Sequence, residues 1–225
     1  MPRSRLGAPR RRANARSALW AFACAGARGD SDATRRAIRS ARRAGWPRRA
    51  LEEAGLMLVL YAGYPAALEA LRELLECWPA RVRAAREGGR ASWRRRGRRL
   101  CRSVYGEVHA RLIASVAARH PDLAVWVEEH GYGRVLSRPG LSLLDRELVT
   151  VAVLAQSGWE RQLVSHMLGA ERVGGSRAEI RRAATLGVRA GGRSGSAPRA
   201  ALSRRAWAHA FPSGGRALTA RERGR

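Results

Sequence analysis

Lysine is absent from this chain. All 44 basic side chains among its 225 residues are arginine, against 18 acidic ones, a formal net charge of +26. Arginine without lysine, beside abundant alanine and glycine, is the signature of GC-rich codons, so the charge alone does not point to nucleic acid. It is spread over Met1–Arg16, Arg81–Arg102 and Arg177–Arg225, and no helix-turn-helix, zinc finger or stacking platform stands beside these runs. Specific nucleic-acid binding is therefore not expected, although non-specific phosphate affinity at low salt is. Cysteine is scarce: Cys24, Cys77 and Cys101 form no C-x-x-C, which argues against both a zinc site and a disulfide framework and fits a reducing, cytoplasmic compartment. No apolar run approaches the roughly 20 residues of a membrane span. The short apolar stretch Ala18–Ala25 after the basic N-terminus is not read as a secretory signal. Period-2 alternation is missing too, so the expected fold class is all-α.

The most informative segment present is Leu141–Glu179. Ser142 followed by Asp145 reads as a helix start, with a hydroxyl for orphan amides and a carboxylate at the positive helix end. The helix runs through Glu147, Leu148, Val149, Val151, Val153 and Leu154 to a stop at Gly158, apolar on nearly every side and hence expected to be buried. On pattern alone Glu147 reads as a carboxylate at a solvated first turn, the alternative being one drawn inward for a purpose. A second helix from Glu160 to about Val173 carries Leu163, Met167 and Ala170 as a core stripe, with Trp159, Gln162 and His166 as a stripe beside it. His166 taken alone reads more often as a structural or surface histidine than as a catalyst. Gly174 then suits a helix stop, and Ser176 with Glu179 a capping box for a third helix.

This segment resembles the carboxymuconolactone decarboxylase / alkylhydroperoxidase D superfamily. Its peroxidase branch carries Glu, then a C-x-x-C pair, then His, at the spacing of Glu147, Trp159, Gln162 and His166. Here the spacing is kept and both thiols are missing, which removes the thiol chemistry of peroxide reduction. YGRVLSRPGLSLLDRELVTVAVLA is similar to the decarboxylase branch, which also lacks the cysteines. The first half resembles a second copy. Ala44–Glu53 aligns with Val173–Arg182, and Tyr61-Ala62-Gly63-Tyr64-Pro65 is similar to the superfamily's Y-A-G-[FY]-P element. The same register places Ala18 and Ala37 opposite Glu147 and His166, so the first copy lacks the polar pair.

The expected organisation is thus two tandem helical repeats sharing one core. Residues 1–16 read as a basic disordered tail, 17–78 as a degenerate first repeat, and 79–92 as a Gly/Arg-rich linker. Residues 93–187 read as the second repeat, and 188–225 as a disordered or degraded C-terminal tail. The second repeat should open with one long helix over Trp93–Ala118, on a seam of Leu100, Val104, Val108, Leu112 and Val116. A shorter helix over Pro121–Val135 should stop at Gly131.

The resemblance implies a lyase without metal or organic cofactor, acting on a small carboxylated lactone or related acid, in a homo-oligomer. His166 would carry the proton, since an imidazole titrates near neutrality, and Glu147 would orient it. Gln162 would bond a substrate oxygen, Trp159 would wall the pocket, and Arg134 or Arg138 would grip the substrate carboxylate. The competing expectation is a catalytically inactive oligomeric scaffold. A peroxidase-type antioxidant and a basic nucleic-acid binder rank below both.

Overall fold

Caps and glycine turns divide the chain into helices joined by short connections. The structure, a computed structural model, describes residues 9–84, 88–192 and 196–212. Four helices form the first half: α1 (Pro9–Ala27), α2 (Ser31–Arg43), α3 (Arg48–Tyr61) and α4 (Gly63–Cys77). Then follow α5 (Arg90–Tyr105), a 3-10 turn (Gly106–Val108), α6 (His109–Ala117), and α7 (Pro121–Trp126), which continues into a π-helical segment (Val127–Leu136). The last four are α8 (Leu143–Ser157), α9 (Glu160–Arg172), α10 (Arg177–Ala190) and α11 (Ser196–Ala210). The described residues contain no strand, and the fold is all-α as expected. No helix among them is long and apolar enough to cross a membrane.

One contiguous core joins the two halves. Leu19, Trp20 and Phe22 of α1 are fully buried, together with Leu51 and Met57 of α3, Leu148 and Val151 of α8, and Leu163 and Met167 of α9. Helix α1 is central: it packs on α2, α3 and α4 and also reaches α8 and α10. Within α1–α4 the first helix pairs with the second and third, the second with the fourth, and the third with the fourth. The same pairings recur within α8–α11. Burying leucine-sized side chains stabilises by about 1.5–3 kcal/mol each, so the hydrophobic effect holds this bundle together despite its charge.

The termini differ from expectation. Residues 9–16, assigned to a disordered tail, belong to α1: Ala15 is buried, and Arg16 pairs with Asp145 at 2.7 Å and with Glu179. Residues 1–8 lie outside the described residues. In the C-terminal stretch assigned to disorder, α10 extends to Ala190, and α11 packs on α9, α10 and α8. Alanine hid this helix from a reading by composition. Small Ala206 and Ala210 fit flush into the core, while Trp207 and Phe211 stack at 4.5 Å beneath the guanidinium groups of Arg181 and Arg177. Residues 213–225 lie outside the described residues. The linker is free of regular structure over 79–84 and 88–89, with α5 beginning at Arg90.

The middle of the chain also departs from its pattern. The single helix expected over Trp93–Ala118 breaks at Gly106, whose φ of 59° is open to glycine at little cost. The i+4 seam is therefore interrupted, and the residues fully buried beside the break are Cys101 and Val104. The stop expected at Gly131 does not occur; a widened π turn carries the helix through Gly131 and Gly133. His109, at the start of α6, bonds the buried Glu128 of the π segment at 3.1 Å and ties the kinked chain back. Close backbone approach explains the glycines. A Cβ on Gly97 would fall 1.8 Å from the Glu128 carbonyl oxygen, and one on Gly133 would fall 2.1 Å from that of Trp93.

Gly97→Ala should therefore push α5 off the π segment and lower stability by about 1–3 kcal/mol, read as a reduced urea midpoint. An unchanged midpoint would show that the two backbones do not meet at this distance.

Candidate active site

Helix α8 starts as its sequence dictates. The Ser142 hydroxyl accepts from the Asp145 amide at 3.1 Å and donates to the Asp145 carboxylate at 2.5 Å, and that carboxylate then receives Arg16. Every residue from Asp145 to Gln156 is buried, because α1, α9 and α10 cover α8 from different sides. Glu147 is consequently 1% exposed, and the solvated first turn suggested by pattern is not what the fold provides.

A carboxylate in such a place needs a partner, since an unpaired buried charge is strongly unfavourable. The partner is His166. On α9 the residues Leu163, Met167 and Ala170 are fully buried, and the neighbouring stripe turns His166 towards α8. His166 Nδ1 lies 2.8 Å from Glu147 Oε2. Gly169, one turn further along α9, makes room for this contact. A Cβ there would lie 2.9 Å from Glu147 Oε2 and 2.7 Å from Val104 Cγ1. With Nδ1 engaged, Nε2 is the nitrogen left for proton exchange, and the His166 side chain keeps a tenth of its surface open.

Two tyrosines flank the imidazole and a third stands behind one of them. The Tyr61 and Tyr105 rings stand edge-on to the imidazole at 6.3 and 6.4 Å, and the Tyr132 hydroxyl donates to that of Tyr105 at 2.8 Å. The Tyr61 hydroxyl lies 3.0 Å from Thr150 Oγ1, one helical turn beyond Glu147. Burial first, and then the Glu147 carboxylate, push the Tyr61 and Tyr105 phenols well above their ordinary range; burial and then Tyr105 do so for Tyr132. All three are therefore neutral hydroxyls near neutral pH. The signals available in the sequence were indirect: Tyr61 opens the Y-A-G-[FY]-P element, and Tyr105 precedes the Gly106 break.

The remaining candidates are not gathered around His166. Trp159 is 60% exposed and Gln162 is also exposed, so along their stripe only His166 goes under cover. Arg134 is exposed and stacks on the Trp93 ring at 4.9 Å, and Arg138 is engaged by the fully buried Glu53 at 3.0 Å. Both arginines border a cleft of about 790 Å³ with Arg48, Arg49 and Trp93, a cleft lined by neither Glu147 nor His166. Their assignment as carboxylate grips beside the imidazole does not follow from this arrangement. The π segment and the turn after it carry both to that cleft instead.

The cysteines are unpaired. Burial, with the Glu128 and Glu147 carboxylates nearby, pushes the Cys101 thiol up to about 12, and burial pushes Cys24 up to about 12 as well. Both remain protonated and poorly nucleophilic near neutrality. The described residues include no group of His, Cys, Asp and Glu arranged to hold a metal ion.

No curated protein matches the chain. Residues 121–203 match the model of the carboxymuconolactone decarboxylase family, a span that runs from the start of α7 into α11 and contains both members of the buried pair. Over this part the chain is similar to the carboxymuconolactone decarboxylase family.

Proposed function

We propose that the protein is a lyase of the carboxymuconolactone decarboxylase type, removing carbon dioxide from a small carboxylated lactone or related acid by side-chain chemistry. The observation that carries this reading is the buried hydrogen bond between His166 Nδ1 and Glu147 Oε2. A carboxylate–imidazole hydrogen bond sheltered in a bundle core stabilises a fold weakly, because desolvation offsets much of the gain. The same shelter makes it effective at proton transfer.

The chemistry needs two things. As the bond to the leaving carboxylate breaks, its electron pair passes into the unsaturated ring, and a proton is delivered to carbon. His166 would hold that proton at Nε2, and Glu147 would fix the ring and balance the imidazolium that forms as the proton is regained. The neutral hydroxyls of Tyr61 and Tyr105 would donate to oxygen where charge accumulates. The substrate's carboxylate loses its solvation in such a site, which favours its departure as uncharged carbon dioxide.

A second reading is favoured by one observation. The stripe of Trp159 and Gln162 lies open and His166 is nearly closed, an arrangement also suited to a catalytically silent scaffold in which the pair only locks α8 to α9. A peroxidase in the thiol sense has no support from three unpaired cysteines, of which Cys24 and Cys101 are held protonated by burial.

Turnover of carboxymuconolactone-like substrates by the purified protein separates these readings. His166→Ala should lower kcat by about 10²–10⁴-fold with the fold intact by circular dichroism; a folded variant with near-full turnover contradicts the mechanism. Gly169→Ala should displace the Glu147 carboxylate and reduce kcat by about 100-fold, with little change in KM. Wild-type kcat in that variant would mean that the spacing of the pair does not matter to the reaction.

A further inference from the structure

A second polar site lies apart from the pair. Helix α5, the end of the π segment and the first turn of α8 enclose a cleft of about 310 Å³, bordered by Arg96, Arg99, Ser103, Ser137, Arg138 and Arg146. Neither Glu147 nor His166 lines it. Arginine at the surface of a chain this basic is unremarked, but Arg146 is not at the surface: its side chain is 2% exposed.

The hydrogen bonds of Arg146 are incomplete. Its Nη2 donates to Glu53 Oε2 at 3.2 Å and to the Arg138 carbonyl oxygen at 2.7 Å, whereas its buried Nη1 meets no acceptor. Glu53 is itself fully buried and is shared: Arg49 at 2.7 Å, Arg138 at 3.0 Å and Arg146 at 3.2 Å all converge on this single carboxylate. A guanidinium under cover with an orphan donor, competing with two others for one counter-charge, is an expensive arrangement unless an acceptor completes it. Burial accordingly draws the Arg146 pKa below its ordinary value. The positive end of α8, which begins at Leu143 on the cleft wall, adds to the same field.

We infer that this cleft is a binding site for a small oxyanion, a carboxylate or a phosphate group. Arginine forks suit either, because two parallel N–H groups match two oxygens. Arg146 would provide the buried donor, Arg99 an approach from the exposed side of α5, and the Ser103 hydroxyl a neutral contact beside it. The site stands whether or not the lyase reading holds, since it shares no residue with the Glu147–His166 pair.

The test is calorimetric titration of the full chain with inorganic phosphate and, separately, with malonate, at one fixed ionic strength. Saturable binding of one anion per chain is expected, and whichever anion binds identifies the source of the oxyanion. Arg99→Gln should weaken it by about tenfold, because a hydrogen bond to a charged group is lost. Arg146→Met should abolish it. Arg39→Gln, exposed on α2 and remote from the cleft, should leave it unchanged. If Arg146→Met does not fold, Arg99→Gln against Arg39→Gln still decides. Absence of saturable heat with both anions overturns the inference. Equal weakening by Arg99→Gln and Arg39→Gln does so too, because that result describes adsorption to a basic surface.

Discussion

One hydrogen bond organises the second half of this molecule: the contact between the Glu147 carboxylate and the His166 imidazole in the interior of a helical bundle. A carboxylate at that position on α8 has no route to water, because the helix is buried from Asp145 to Gln156. Its partner must come from α9, the imidazole must face inward, and α9 must approach closely enough for the contact. Gly169 meets the last condition, since any side chain there would collide with the carboxylate and with Val104 of α5. The tyrosines that close the site arrive from three separate elements: Tyr61 from α3, Tyr105 from the end of α5, and Tyr132 from the π segment. The first half of the chain thus contributes a wall to a site whose polar pair lies wholly in the second.

The positions that the sequence register places opposite the pair make the contrast physical. Ala18 and Ala37 are both 6% exposed, so α1 and α2 bury methyl groups at these positions. Alanine there needs no partner and permits close packing. Helix α1 uses that freedom to sit at the centre of the fold against helices of both halves. The two halves thus differ in kind: one is packed by alanine at these positions, and the other carries a desolvated acid–imidazole pair.

The local features of this arrangement are legible in the sequence, and the long-range ones are not. The stop at Gly158, the core stripe of Leu163, Met167 and Ala170, and the Ser176–Glu179 capping box all lie where local pattern puts them, since caps and periodicity are properties of a few neighbouring residues. The burial of Glu147 was not legible locally. Its partner is nineteen residues away on another helix, and only the resemblance to a known superfamily linked the two. Helix α11 was missed because its contacts are made by alanine and two aromatics, a composition without strong contrast between faces. Gly131 reads as a helix end, yet the helix runs through it, and Gly133 two residues on serves an unusually close backbone contact with α5; no local pattern distinguishes these uses. Arg134 and Arg138 border a different cleft, to which the π segment and the turn after it carry them.

The proposed chemistry requires His166 to present Nδ1–H to the Glu147 carboxylate and to keep Nε2 for proton transfer. Long-range proton–nitrogen NMR correlation on histidine-labelled protein reads that arrangement directly. The predicted spectrum, with the ring neutral, shows the His166 proton on Nδ1, shifted strongly downfield by the carboxylate and slow to exchange with water, and this signal is lost in Glu147→Gln. A His166 ring carrying its proton on Nε2 with a bare Nδ1, or one exchanging as rapidly as the exposed His120, would contradict the account.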